Sequence, residues 1–340
     1  MNPHVVVRAD ASTSAGSGHL SRQLALAEEL FRKGLQVTLV GAVNEVPMIV
    51  ERVGNLGLNH IHCERGKLNS DLILSLQPDF VITDSYEFNS DGLSKIQEEI
   101  HVLAVIDGND CNYKVSGYLD QNLFSKNCNY LNPKLSFSQF QLCGPKYALI
   151  RDSISRLRAE YDFKSTPSIP KVTCFIGGTD PNGDIVSLAK RISQSEVPAD
   201  YLFIADQSFH ALLNEVLSNV QFTLMSPTNG LEQILANTDA VICAAGTSVL
   251  EMSAIGMPTG YLISASNQEQ NRQAIVSFKV GTVMELDEHK ENIGLAFRDQ
   301  LESLLYNGSE RNSLHESGRN TVDCLGKMRV TDKILEVILK

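Results

Sequence analysis

No tryptophan occurs among the 340 residues, and aromatic side chains make up only 6% of them. A groove of stacked rings along a sugar polymer therefore has little support. Positive charge is scarce as well. Lys and Arg number 29 against 40 Asp and Glu, for a net charge of −11, with no Lys/Arg-rich block. That is the wrong footprint for nucleic acid, and it requires any phosphate ligand to be held by backbone N–H groups and helix N-termini. Long apolar runs are missing: nothing approaches the ~18 residues of a membrane span, and the opening apolar run is too short for a signal peptide. No integral membrane segment and a cytoplasmic setting are expected. The seven cysteines (Cys63, Cys111, Cys128, Cys143, Cys174, Cys243, Cys324) are odd in number and never form a C-x-x-C pair. This predicts neither a metal site nor a disulfide scaffold, and the thiols read as small buried hydrophobes.

What is present suits two globular domains: 43% hydrophobic and 20% charged residues over a length comfortable for two cores. The apolar run His4–Val7 is followed by the Ser/Gly-rich stretch Ala11–Gly18. After it Leu20, Leu24, Ala27 and Phe31 recur at helical spacing, and Leu35–Gly41 is a second apolar run. Strand, glycine loop, helix and strand make a βαβ unit, which implies a parallel sheet. Further strands are expected at Phe80–Thr83 and His101–Asp107, each ending in a polar cluster, whereas Cys111–Gln141 reads as polar and irregular. Ligands of open parallel sheets sit beyond the carboxyl ends of the strands, so these clusters should face one crevice.

The charged, then Ser/Pro-punctuated segment 151–170 separates domain 1–150 from domain 171–325. The same grammar then restarts. Strand Lys171–Ile176, loop Gly177–Gly183 and helix Ile185–Ile192 are followed by strands at Tyr201–Ile204, Gln221–Leu224 and Ala240–Cys243. Ala244–Ser248 leads into helix Val249–Ile255, stopped by Gly256 and Pro258, and a last strand is placed at Leu262–Ser264. The tail Arg311–Lys340 reads as largely helical, with 326–340 crossing back onto the first domain.

Several residues have the chemistry for a site. Gly16 and Gly18 let backbone approach a ligand, and His19 at the first turn of the helix suits a general base or, equally, a loop cap. Asp10, Asp84 and Asp107 close strands and can orient His19, bind hydroxyls or cap turns. Gly177, Gly178 and Thr179, with Gly246, Thr247 and Ser248, form two loops placed to receive phosphates, and Glu251 can grip a ribose diol or simply favour the helix dipole. Asn267 and Gln268 are turn residues or hydrogen-bond donors to a sugar or base.

Together Arg8–Ser12, Gly16–Arg22, Asp84–Tyr86, Leu119–Asn122, Gly144–Arg151, Gly177–Asp180 and Gly246…Glu251…Gly256-Met257-Pro258…Asn267-Gln268 resemble the PseG/SpsG-type nucleotide-sugar hydrolases. The best-known members act on UDP-2,4-diacetamido-2,4,6-trideoxy-β-L-altropyranose in pseudaminic acid biosynthesis and are MurG-like. The resemblance implies a GT-B fold of two Rossmann-like domains with parallel sheets facing a central cleft, and a UDP-sugar as substrate. His19 would be the base that deprotonates water for inverting attack on the anomeric carbon. Asp10, Gly16, Gly18, Arg22, Asp84, Tyr86, Asp107, Asn267 and Gln268 would line the sugar side, and Gly177–Thr179, Gly246–Ser248 and Glu251 the nucleotide side. No cofactor or metal is implied, and a monomer or weak dimer is expected. Family members often carry two adjacent aspartates, linked to sugar recognition, where this chain has Asp107-Gly108, a departure that bears on the sugar rather than on the reaction type.

A glycosyltransferase of the same fold is the first alternative and a non-catalytic nucleotide-sugar-binding protein the second, with an epimerase a minor option. The first domain lacks the exposed apolar and basic stretch of transferases that use lipid-linked acceptors, which favours water as acceptor.

Overall fold

The computed structural model describes residues 2–12, 18–85, 87–88, 90–108, 114–125, 140–177, 180, 182–264, 268–286 and 293–340. The chain divides into two compact units: Met1–Arg151 with Cys324–Lys340, and Asp152–Asp323. No described helix is long and apolar enough to cross a membrane.

Unit 1 runs β1 (His4–Ala9), α1 (Gly18–Arg32), β2 (Gln36–Gly41), α2 (Pro47–Asn55), β3 (Asn59–His62), α3 (Ser70–Ser75), β4 (Phe80–Asp84), α4 (Ser90–Glu99), β5 (His101–Val105), β6 (Gly117–Asp120) and β7 (Phe140–Cys143). The described strands form one parallel sheet in the order β3-β2-β1-β4-β5-β6-β7. Successive side chains of a strand point to opposite faces. Val5 and Val7 accordingly join one apolar layer with Leu20, Leu24 and Leu30 of α1, while Val6 joins the other with Ile73, Leu93 and Ile96. Burial on both faces explains why β1 and β4 read as unbroken apolar runs. The strand order reverses between β1 and β4, so the crevice beyond their carboxyl ends is the ligand position of a doubly wound sheet.

Unit 2 holds α5 (Asp152–Glu160), β8 (Lys171–Phe175), α6 (Asp184–Ser195), β9 (Asp200–Ile204), α7 (Gln207–Val216), β10 (Phe222–Met225), α8 (Leu231–Leu235), β11 (Ala240–Ala244), α9 (Ser248–Ile255), β12 (Thr259–Leu262), α10 (Glu269–Phe278), β13 (Thr282–Met284), α11 (Ile293–Tyr306) and α12 (Gly308–Thr321). Its described strands form a second parallel sheet, β10-β9-β8-β11-β12-β13, which reverses between β8 and β11.

Several expectations are corrected. The stretch Cys111–Gln141, read as irregular, contains β6 and the start of β7. Gly117 is required there, because a Cβ would lie 2.2 Å from the Phe140 ring of the neighbouring strand. The strand expected at Leu262–Ser264 is β12, three residues earlier, where Gly260 leaves room for Met284. Phe31 is 37% exposed, and Leu30 takes the buried place at that end of α1. Segment 151–170 holds α5 rather than linker alone. Cys143 is disulfide-bonded, unlike the free thiols Cys63, Cys174, Cys243 and Cys324.

The last helix, α13 (Gly326–Ile338), packs on α1 and on the 3-10 turn Pro145–Tyr147 of unit 1. Val330 and Ile334 are fully buried in the α1 layer, and nearly buried Lys327 lies 3.7 Å from Glu28 of α1. A Cβ on Gly326 would meet the Ala148 carbonyl oxygen at 2.2 Å and the Tyr147 carbonyl carbon at 2.4 Å, both rigid backbone atoms. Gly326→Ala is therefore expected to destabilise unit 1 by about 1–3 kcal/mol, read as a lower denaturant midpoint. An unchanged midpoint would show that α13 does not dock this closely.

Candidate active site

The first two turns of α1 deliver His19, Arg22 and Gln23 to the carboxyl ends of β4 and β5. Arg22 is 5% exposed and lies between two carboxylates. Toward Asp84, its Nε donates to Oδ2 and its Nη2 to Oδ1, both at 2.6 Å. Toward Asp107, Nη1 donates to Oδ1 at 2.7 Å and Nη2 to Oδ2 at 3.0 Å. Gln23 Nε2 adds a 2.7 Å bond to Asp84 Oδ2.

Burial alone would raise the Asp84 carboxyl, but the Arg22 charge and then His19 outweigh it and hold the group below the usual carboxylate range. The same balance acts on Arg22, where burial opposes the charge and the two aspartates more than restore it. Asp84 is thus a fixed anion with both oxygens engaged.

His19 Nδ1 lies 2.6 Å from Asp84 Oδ1 and 3.1 Å from Arg22 Nη2. A carboxylate at 2.6 Å requires a proton between the two atoms, so Nδ1 carries hydrogen and donates to Asp84. In the tautomer this bond selects, the lone pair is on Nε2, the form of a proton acceptor. The His19 side chain is 18% exposed against 0% for Asp84, so the ring lies at the rim and its partner beneath it.

The other expected residues of the first half are distributed as follows. Gly18 is the first residue of α1. Asp10 belongs to a different set of contacts: its Oδ1 accepts from Arg8 Nη1 at 2.6 Å and from Ala42 N at 2.9 Å, and its Oδ2 from Gly66 N at 3.1 Å. It pins the turns after β2 and β3 to the end of β1. Gly16, Tyr86, Asn267, Gly178 and Thr179 lie outside the described residues.

Three participants had no role assigned from the sequence, although Asp120 and Asn122 stand in the Leu119–Asn122 motif. Gln23 lies one residue beyond the Gly16–Arg22 motif. Asn122 Nδ2 donates to Asp107 Oδ1 at 2.7 Å and to Asp120 Oδ1 at 2.9 Å. Fully buried Asp120 also accepts from Asn122 N at 3.0 Å and, through Oδ2, from Gly108 N at 2.9 Å. The available signal was the strand-end aspartate of β6, in a strand the reading had missed.

In unit 2 the two loops differ. Gly177 follows β8 with φ 136°, in the region that favours glycine. At the start of α6 the Asp180 carboxylate accepts from Asp184 N at 2.9 Å and Ile185 N at 3.0 Å, so a side-chain anion already holds those donors. α9 begins at Ser248 with Thr247 as its N-cap, and no side chain caps it. The N–H groups of Val249 and Leu250 donate to the Gly246 and Thr247 carbonyls, each at 3.1 Å, so what the helix start offers an outside anion is its uncapped dipole, with Gly246 and Thr247 half-buried before it and Glu251 one turn in. Gln268 lies 3.8 Å from where a Gly246 Cβ would stand, and its Oε1 accepts from Ser264 N at 3.0 Å. The described residues contain no group of three or more potential metal ligands.

No known family profile matches the chain. It is 26% identical to the spore coat polysaccharide biosynthesis protein SpsG of Bacillus subtilis over 200 residues, covering 55% of this chain and 56% of that protein. An uncharacterized protein of Methanocaldococcus jannaschii is 21% identical over 280 residues, covering 78% and 57%. The chain thus spans little more than half the length of the curated relatives it matches. Among solved structures, MurG of Acinetobacter baumannii superposes with a TM-score of 0.66 at 15% identity, covering 98% of this chain and 99% of that one. The calicheamicin glycosyltransferase CalG4 gives 0.67 at 14% identity, with 99% and 98% covered. Staphylococcus aureus MnaA, solved with UDP, gives 0.68 at 12% identity, with 100% and 98% covered. The fold shared with these proteins is the GT-B type, two Rossmann-like units each built on a parallel sheet.

Proposed function

We propose that this chain is a nucleotide-sugar hydrolase of glycan biosynthesis. It moves the glycosyl group of a UDP-linked 2,4-diacetamido-2,4,6-trideoxyhexose onto water, with inversion, in the assembly of a pseudaminic-type or related surface sugar. The observation that carries the reading is the 2.6 Å bond from His19 Nδ1 to buried Asp84, which makes Nε2 the proton acceptor at the end of a doubly wound sheet. In the reaction Nε2 takes a proton from water and the water oxygen bonds to the anomeric carbon. The bond from that carbon to the β-phosphate oxygen breaks, and UDP leaves with the electron pair. Asp84 offsets the imidazolium charge that forms, as the carboxylate of a catalytic triad does.

In this reading unit 1 takes sugar and water, with Tyr86 on the sugar side, and unit 2 takes UDP. The first turn of α9 (Gly246, Thr247, Ser248) meets the pyrophosphate, Glu251 the ribose, and Gly177–Thr179 the phosphates from β8; Asn267 and Gln268 reach toward the sugar. Developing charge on the leaving diphosphate is met by backbone donors and the helix dipole, with no metal. Support comes from the ordered motifs of the PseG/SpsG type, from the similarity to SpsG, and from MnaA, which shares the fold and was solved with UDP. The reading carries with it a cytoplasmic enzyme acting as a monomer or weak dimer.

Transfer to a hydroxyl or amine acceptor is the second reading, favoured by the glycosyltransferases among the structural neighbours. The deciding experiment incubates the protein with a panel of UDP-2,4-diacetamido sugars, with and without acceptor, and follows UDP. Release without acceptor is the expected result. Release only when acceptor is added would replace hydrolysis by transfer.

A further inference from the structure

We propose that Asp107 and Asn122 are positioning residues that hold Arg22, and through it the His19–Asp84 pair, rather than contacts to the sugar. The inference rests on the hydrolase reading for its kinetic arm only. Both Asp107 oxygens are already engaged: Oδ1 accepts from Arg22 Nη1 and Asn122 Nδ2, each at 2.7 Å, and Oδ2 from Arg22 Nη2 at 3.0 Å. Oδ1, with two donors, has no lone pair left for a sugar hydroxyl, whereas Oδ2 keeps one on a side chain 16% exposed. What sets Asp107 apart is its two-point grip on Arg22, a charge with little access to water whose pairing its loss would weaken.

The geometry of Arg22 gives the arrangement a purpose. A guanidinium is a rigid planar fork, so two bidentate carboxylates on adjacent edges fix its plane. One of them, Asp84, is the group that orients His19. The other, Asp107, is the second anchor without which a long, flexible side chain holds Asp84 from one edge alone. Asn122 braces Asp107 in turn and is itself fixed by its backbone N–H to Asp120, which also holds Gly108 N. The chain Asp120–Asn122–Asp107–Arg22–Asp84–His19 therefore runs across the ends of β6, β5 and β4 to α1.

The test uses Asp107→Asn and, as a neutral truncation that keeps both buried charges, Asn122→Ala. The first readout is the His19 Nδ1 proton resonance in the ligand-free, 15N-histidine-labelled protein, assigned by its loss in His19→Asn. Both variants are expected to broaden or shift it while the melting transition stays cooperative. If Asp107→Asn does not fold, Asn122→Ala decides. The second readout is turnover of the UDP-sugar: kcat is expected to fall on the order of 10²-fold, the cost of a misplaced catalytic group, with KM little changed. An unchanged resonance, or a raised KM with kcat preserved, would overturn the proposal and make Asp107 a substrate contact. If the wild-type protein releases no UDP from any sugar, the hydrolase reading fails, and the resonance alone still decides the positioning role.

Discussion

Replacing His19 by asparagine is expected to slow UDP release by roughly 10²–10⁴-fold, the range for loss of a general base. The substitution isolates the base function because the rest of the site can persist. The Asn amide can still donate toward Asp84, and Arg22 and Gln23 continue to hold both oxygens of that carboxylate. His19 also lies at the rim, 18% exposed, so its loss leaves no large cavity. UDP affinity, read by calorimetry, should change little, since the proposed nucleotide contacts lie in unit 2. A variant that releases UDP within a few-fold of wild type would remove His19 from the chemistry.

Asp84→Asn is expected to damage both activity and stability. Asp84 Oδ1 accepts from His19 Nδ1 and Arg22 Nη2, and Oδ2 from Arg22 Nε and Gln23 Nε2. An asparagine must turn its NH2 toward one pair or the other. Facing His19, it opposes an Arg22 donor and drives the imidazole to the tautomer with hydrogen on Nε2, which cannot accept a proton from water. Facing Gln23, that amide can flip, since its buried Oε1 has no hydrogen-bond partner among the described residues, but Arg22 Nε is still opposed. No placement satisfies every donor. Turnover should fall by roughly 10²–10⁴-fold, and unfolding free energy by about 3–5 kcal/mol, the cost of breaking a buried ion pair. Kinetics with a denaturant titration check both effects. Full stability with full turnover would mean that the Asp84–Arg22–His19 geometry is not the working one.

How much of this was legible beforehand depended on whether a feature was local in the chain. The β1–α1–β2 unit was, because both strands are buried on two faces and α1 shows one apolar stripe. His19 at the start of α1 followed from the same local grammar. The choice among Asp10, Asp84 and Asp107 did not. Each lies at or just after the end of a buried strand, yet Asp10 is drawn aside by Arg8 and two backbone N–H groups while Asp84 and Asp107 close on Arg22. That difference depends on which side chains the sheet order brings together across 62 to 85 positions of sequence. Asn122 stands in the Leu119–Asn122 motif, but its role was illegible for a related reason. β6 is four residues long, buried throughout, and set in a polar stretch, so neither alternation nor length marked it. In unit 2 the two glycine loops looked equivalent, and the Asp180 carboxylate at α6 is what distinguishes that helix start from α9, which no side chain caps.

The measurement closest to the central claim is hydrolysis of the UDP-sugar in 18O-labelled water, with mass analysis of both products. Attack by a His19-activated water at the anomeric carbon puts the label in the hydroxyl of the released sugar and leaves UDP unlabelled. Label in the UDP phosphate would place the attack at phosphorus, and unlabelled sugar alongside UDP would point to elimination, so either result would contradict the account.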